Sequence, residues 1–180
     1  MIRHRYPDRR KDPLMTTLDR TDVRILEALQ TDGRLTNVEL SQRIGLSETP
    51  CLRRVRRLEE AGVIGRYAAV LDPRAIGLGV LAFVQLTIER HNDVDTEAFR
   101  TAVRAHPEVV ACWVTTGTHD FLLQVMAPDM DAFADFVMNR VLRFPGVKDV
   151  NSSFVLQTVK PPSVLPLTHL KMVDAAARTG

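Results

Sequence analysis

The stretch "LSETPCLRRVRRLEEAGVI", Leu46 to Ile64, places four arginines, Arg53, Arg54, Arg56 and Arg57, within five positions. On a helix turning about 100° per residue, Cys51, Leu52, Val55 and Leu58 form one apolar stripe. Thr49, Arg53, Arg56 and Arg57 gather on the opposite face, with Arg54 on its flank. Arg53 and Arg57 stand four apart, a like-charge spacing that costs an isolated helix a few tenths of a kcal/mol. Glu60 can offset Arg56, while Glu48 and Glu59 lie near the helix ends. Arginine abundance alone decides nothing, because the chain holds 20 Arg against 4 Lys, as GC-rich coding also produces. A solvated charged face is the plain reading of such a helix; what precedes it tips the balance.

Upstream, "LDRTDVRILEALQTDGR" sets Leu18, Asp22, Ile25, Leu26 and Leu29 on a helical period. Asp19 is placed to cap that helix and Gly33 to end it. In "TNVELSQRIG", Thr36 and Glu39 have the spacing of a capping box, and Leu40 and Ile44 fall one turn apart. Gly45 supplies a left-handed exit. Ser47 or Thr49 then caps the arginine-rich helix, whose first turn suits Pro50. Two helices joined through a glycine turn, after a longer first helix, make a helix-turn-helix pattern. The last helix of such a pair enters a DNA major groove. Ser47, Thr49, Arg53, Arg54, Arg56 and Arg57 are therefore candidate DNA contacts, since phosphates position arginines and guanine edges accept their paired donors.

The charge distribution agrees. Residues 1–66 carry 14 Lys/Arg against 10 Asp/Glu, and residues 67–180 carry 10 against 12. A basic front and a mildly acidic rear suit a front that meets an anion. No apolar run approaches the ~20 residues that cross a bilayer. The N-terminus lacks the apolar core of a signal peptide, so the expected location is cytoplasmic. Cys51 and Cys112 lie far apart in apolar patterns and read as buried free thiols.

Residues 1–17 are basic and proline-punctuated and predict a disordered extension, either a solvated tail or an arm that grazes DNA. Residues 18–66 form the helix-turn-helix domain. Residues 67–77 follow as wing and linker, with Val63, Ile64, Tyr67, Ala69 and Leu71 able to make a short strand pair and Arg66 within reach of a phosphate. From Leu78 the apolar period drops to two: Val80, Ala82, Val84, Leu86 and Ile88 line one face of a strand. A helix over about Thr96–Ala105, two strands, a second helix and a fourth strand complete residues 78–162. "HPEVVACWV" and "FPGVKDVNSSFV" repeat an X-Pro entry into a strand, 38 residues apart. Strand-helix-strand twice over is the βαββαβ, ferredoxin-like arrangement, and the fold class is α+β. Leu81, Phe83, Trp113, Phe121 and Leu123 suggest that both faces of the sheet are largely apolar, so that the face without helices needs the cover of self-association. Residues 163–180 are left as a C-terminal tail.

These segments together closely resemble the Lrp/AsnC, or feast/famine, transcriptional regulators. The helix-turn-helix stretch resembles their DNA-binding half. "TTGTHDFLLQV" and "FPGVKDVNSSFVLQTVK" stand at the G-x-x-D turn and last strand of their amino-acid-sensing half. The "TPC" and "SSF" segments resemble an actinobacterial branch of the family that controls alanine dehydrogenase. The resemblance covers roughly Leu18–Leu167. It implies a dimer that sets two recognition helices on double-stranded DNA, with dimers assembling to octamers. It also implies an amino-acid effector bound between dimers, with Gly117, Thr118, His119 and Asp120 in the effector turn and Ser152 and Ser153 nearby. Chemically, Gly117 lets backbone N–H groups face a carboxylate, while Asp120 suits an ammonium group. The same four residues also make an ordinary hairpin loop. Thr118-His119 departs from the acidic or aromatic pair frequent at that point of the family, which leaves the effector open.

Other chemistries find little footing. The five histidines show neither i, i+4 pairing nor a cysteine at metal-ligand spacing, and no cofactor is implied. There is no nucleophile elbow, P-loop or G-x-G-x-x-G run. A sequence-specific regulator responding to an amino acid leads. An architectural protein wrapping DNA with little sequence preference is the alternative, and an enzyme on the ferredoxin-like domain has no catalytic constellation behind it.

Overall fold

Helix α1, Arg20–Thr31, begins at a reciprocal cap. The Asp19 side chain accepts from the Asp22 N–H at 2.8 Å, and the Asp22 carboxylate accepts from the Asp19 N–H at 3.1 Å. Helix α2, Asn37–Ile44, starts the same way through Thr36 and Glu39 and leaves through Gly45 at φ 71°. Helix α3, Glu48–Glu60, follows after Leu46 and Ser47. These assignments come from a computed structural model, which describes residues 18–89, 93–162 and 164–170. The expected basic extension 1–17 and the end of the tail lie outside the described residues.

The chain divides into two compact units, one of the three helices with the C-terminal segment from Pro162, the other Val70–Pro161. In the helical unit, Ile25, Leu26, Ala28, Leu40, Ile44, Cys51 and Leu58 form the core, with Val55, Ile64 and Leu167 packed against it. Four details depart from the expectations. Leu52 is 37% exposed, because it stands about 100° round the helix from Cys51, at the margin of the stripe. Gly33 has no left-handed φ; α1 instead ends at Asp32 in an extended conformation. No wing strands form over Val63–Leu71. There the backbone turns through Gly62 at φ 70°, Val63 and Ile64 both donate to the Leu58 carbonyl, and the run after it has no strand partner. An isolated two-stranded ribbon of that length is marginal in water. Finally, Cys112 is exposed, while Cys51 is fully buried as expected.

The second unit is a four-stranded antiparallel sheet: β1 Val80–Ile88, β2 Val109–Val114, β3 Phe121–Ala127 and β4 Val147–Phe154, in spatial order β2-β3-β1-β4. Helices α4, Asp93–Ala105, and α5, Met130–Asn139, supply the two crossovers. This is the ferredoxin-like order. Ala82, Val84, Leu86, Phe121, Leu123 and Val125 face the helices, where the Phe99 ring packs tilted against Phe121 at 4.5 Å between ring centroids. Phe121 and Leu123 thus belong to the helix-covered face, not the open one. Their register decides it, since Leu86 pairs with Phe121 and Val84 with Leu123, and cross-strand partners share a face. The open face keeps Leu81, Phe83, Leu122 and Trp113. Gly79 enters this sheet so close to the Pro128 carbonyl that an added Cβ would lie 2.7 Å from its oxygen.

Candidate functional site

The arginines of α3 divide into two pairs. Taking Cys51 as the inward direction, Thr49, Arg53 and Arg56 fall at about 160°, 200° and 140°, directly opposite the core. Arg54 and Arg57 fall at about −60° and −120°, on the flank that meets α1. Arg54 Nη1 donates to Asp19 Oδ2 at 2.7 Å and to Asp22 Oδ1 at 2.9 Å. Arg57 Nη2 donates to Asp22 Oδ2. Asp22 is fully buried, so its charge is held by two guanidinium groups and its cap bond rather than by water. Partial burial works against ionisation of Asp19, but the Asp22 N–H and Arg54 outweigh it and hold that carboxyl below its ordinary range.

Arg54 and Arg57 are therefore occupied by the protein's own carboxylates. They fix the roll of α3 on α1, and that roll turns Arg53 and Arg56 outward. Both outward arginines are exposed, and neither bonds to another described residue. Thr49 and Ser47 are exposed at the start of α3, where the Ser47 side chain makes no capping bond. Arg66 is exposed on the irregular run after α3. Asp22 was missed as a site-forming residue. The available signal was an acidic residue on the apolar stripe of α1, which requires a buried cationic partner.

In the other unit, Gly117–Asp120 lies in the connection from β2 to β3, with Gly117 at φ 115°. Asp120 is anchored. Its N–H donates to the Leu86 carbonyl, its carbonyl accepts from Thr115 N–H, and its Oδ2 accepts from Ile88 N–H at 2.9 Å. Thr115 Oγ1 donates to the His119 carbonyl, and Thr118 Oγ1 lies 2.9 Å from His119 Nδ1. The N–H groups of Gly117 and Thr118 donate to no described residue. The serines lie elsewhere. Ser152 pairs with Val84 on the helix-side face, and Ser153 with Phe83 on the open face, across β1 from the turn. One protomer does not gather these six residues into a single pocket.

A winged helix-turn-helix DNA-binding family model matches residues 18–64, and the Lrp/AsnC ligand-binding domain model matches residues 81–165. The leucine-responsive regulatory protein of Escherichia coli K12 is 46% identical over 143 residues, 79% of this chain and 87% of its own length. The chain belongs to the Lrp/AsnC family of transcriptional regulators. A transcriptional regulator from Neisseria meningitidis, solved as an L-Met complex, shares 49% identity and a TM-score of 0.83, covering 86% of this chain and all of its own. The leucine response regulatory protein of Mycobacterium tuberculosis shares 30% identity and a TM-score of 0.68, covering 80% and 96%. As in the family, a DNA-binding helix-turn-helix half precedes an α+β, ferredoxin-like ligand-binding half. Among the described residues, no helix is long and apolar enough to cross a membrane.

Proposed function

We propose that this chain is a cytoplasmic, non-enzymatic, sequence-specific regulator of amino-acid metabolism genes, whose DNA affinity or assembly responds to a bound amino acid. The observation that carries the reading is the outward arc of Thr49, Arg53 and Arg56, on a helix whose roll is pinned by the buried Asp22. On this reading Arg53 and Arg56 read bases or phosphates, Ser47, Thr49 and Arg66 position the helix, and Arg54 and Arg57 act through their hold on α1.

The effector reading rests on family membership and on the shape of the Gly117–Asp120 turn. Two backbone N–H groups without a described acceptor suit a carboxylate, and an Asp120 fixed by the Ile88 N–H suits the ammonium end. Ser152 and Ser153 join the same site only through a second copy of the chain, in keeping with an effector held between subunits. The apolar open face with Leu81, Phe83, Leu122 and Trp113 supports a dimer, and the octamer follows from the family resemblance. The names of the relatives make L-leucine and L-methionine the first effectors to test.

The test compares binding to a DNA site selected from a random pool with binding to bulk random DNA, across several salt concentrations, with and without each amino acid. A specific regulator binds its site ~10³-fold or more tightly than random DNA, and an effector with differential affinity shifts that binding. A ratio near one overturns the reading in favour of DNA wrapping.

A further inference from the structure

We propose that the C-terminal segment Leu165–Leu170 is a strap that ties the ligand-binding unit to helix α1 and passes effector-induced change to the recognition helix; this rests on the DNA-binding reading above. Beyond β4 the chain does not trail away. Gln30, near the C-terminal end of α1, grips the Leu165 backbone with both ends of its amide: Oε1 accepts from Leu165 N–H at 2.7 Å, and Nε2 donates to the Leu165 carbonyl at 3.3 Å. Two residues on, Leu167 packs against the core of Ile25, Leu26, Leu40 and Leu58, and the Leu170 N–H closes a turn on the Leu167 carbonyl. A side-chain amide that satisfies both polar groups of one peptide selects an extended segment at one register. The core of the helical unit is therefore completed by residues that follow the last strand of the sheet.

The route onward is short. Gln30 and Asp22 stand two turns apart on one continuous helix, and Asp22 holds Arg54 and Arg57 of α3. A change in α1 at Gln30 thus reaches the contact that sets the outward direction of Arg53 and Arg56. The grip is also weak enough to be released. Leu165 is 72% exposed, Leu167 only half-buried, and the Gln30 bonds lie in solvent. Elements that move in regulation come from this low-stability end of a structure, and a ligand that favours one state of such an element shifts its population.

The experiment uses the intact chain beside three variants: Gln30→Ala, Leu167→Ala and a deletion of residues 162–180. Hydrogen exchange of the α1 amides, without DNA or amino acid, reads docking directly. All three variants are expected to exchange roughly tenfold faster in α1, with the sheet unit unchanged. DNA affinity with and without L-methionine or L-leucine reads coupling. The shift produced by the amino acid is expected to fall several-fold in the deletion variant, whose ligand-free affinity moves toward that of the intact chain with the amino acid bound. Unchanged α1 exchange in the deletion variant overturns docking, and an undiminished amino-acid response overturns coupling. An intact chain indifferent to both amino acids counts instead against the effector reading and removes the coupling with it, leaving docking to be judged by exchange alone.

Discussion

At the scale of single residues, the balance between Asp22 and its two arginines decides what α3 can do. A buried carboxylate without partners is costly, and one held by two guanidinium groups makes a rigid joint. Replacing Asp22 with alanine leaves Arg57 without its acceptor and Arg54 with Asp19 alone. Because both arginines retain access to water, the expected loss is about 2–3 kcal/mol, below the roughly 3–5 kcal/mol of a fully buried broken pair, measurable by urea unfolding. Asp19 adds a pH dependence. Its folded-state carboxyl sits below the ordinary range, so the unfolded chain binds its proton first as pH falls. The stability it contributes is complete above the ordinary carboxylate range and is lost as pH drops through the lowered folded value. Thermal melts between pH 7 and pH 3 should show a plateau and then a fall at the acid end, and Arg54→Ala should flatten that fall. The arginine cluster was legible in the sequence, but its division was not. Helical phase placed Arg54 on the flank, and only the position of α1 revealed that Arg57 turned the same way.

At the scale of elements, local chemistry specified most of the fold. The Asp19 cap, the Thr36–Glu39 capping box, the Gly45 exit and the period-two run of β1 appear where side-chain spacing placed them. What failed depended on distant partners. A wing over Val63–Leu71 needs a second strand that the segment does not find, and which face Phe121 and Leu123 take stayed open because it depends on register against β1. Gly79 is a close-approach position beside the Pro128 carbonyl. Gly79→Ala is expected to destabilise the sheet unit by about 1–3 kcal/mol, as overpacking does. Hydrogen exchange should show the loss in β1 and β3 with α1–α3 protected as before. The effector turn was legible only as a place. That Asp120 is committed to the end of β1 by two hydrogen bonds, one from its N–H to Leu86 and one accepted by its side chain from Ile88, became visible only with the strands assembled.

At the scale of the whole molecule, the single chain presents two incomplete surfaces. The turn Gly117–Asp120 and the serines of β4 do not meet within it, and the open sheet face carries exposed Trp113 beside half-buried Leu81, Phe83 and Leu122. Both are finished by a second copy in the account above. Trp113→Asp on that face should shift sedimentation toward smaller species at micromolar concentration, since a charge at the centre of an apolar contact opposes association; an unchanged distribution counts against this face as the contact. Asp120→Ala should leave DNA binding intact but blunt any response to the amino acid, read by comparing thermal shifts with and without it.

The central claim, that Arg53 and Arg56 face DNA because Arg54 and Arg57 do not, is tested most directly by one titration. The affinity of the Arg53→Ala, Arg56→Ala double variant for a selected DNA site is measured against the parent chain at several salt concentrations. The double variant should keep an intact fold, with either a loss of about 1–3 kcal/mol per base-reading arginine or a salt slope shallower by about one per phosphate contact. An affinity and salt slope identical to the parent's would contradict the claim.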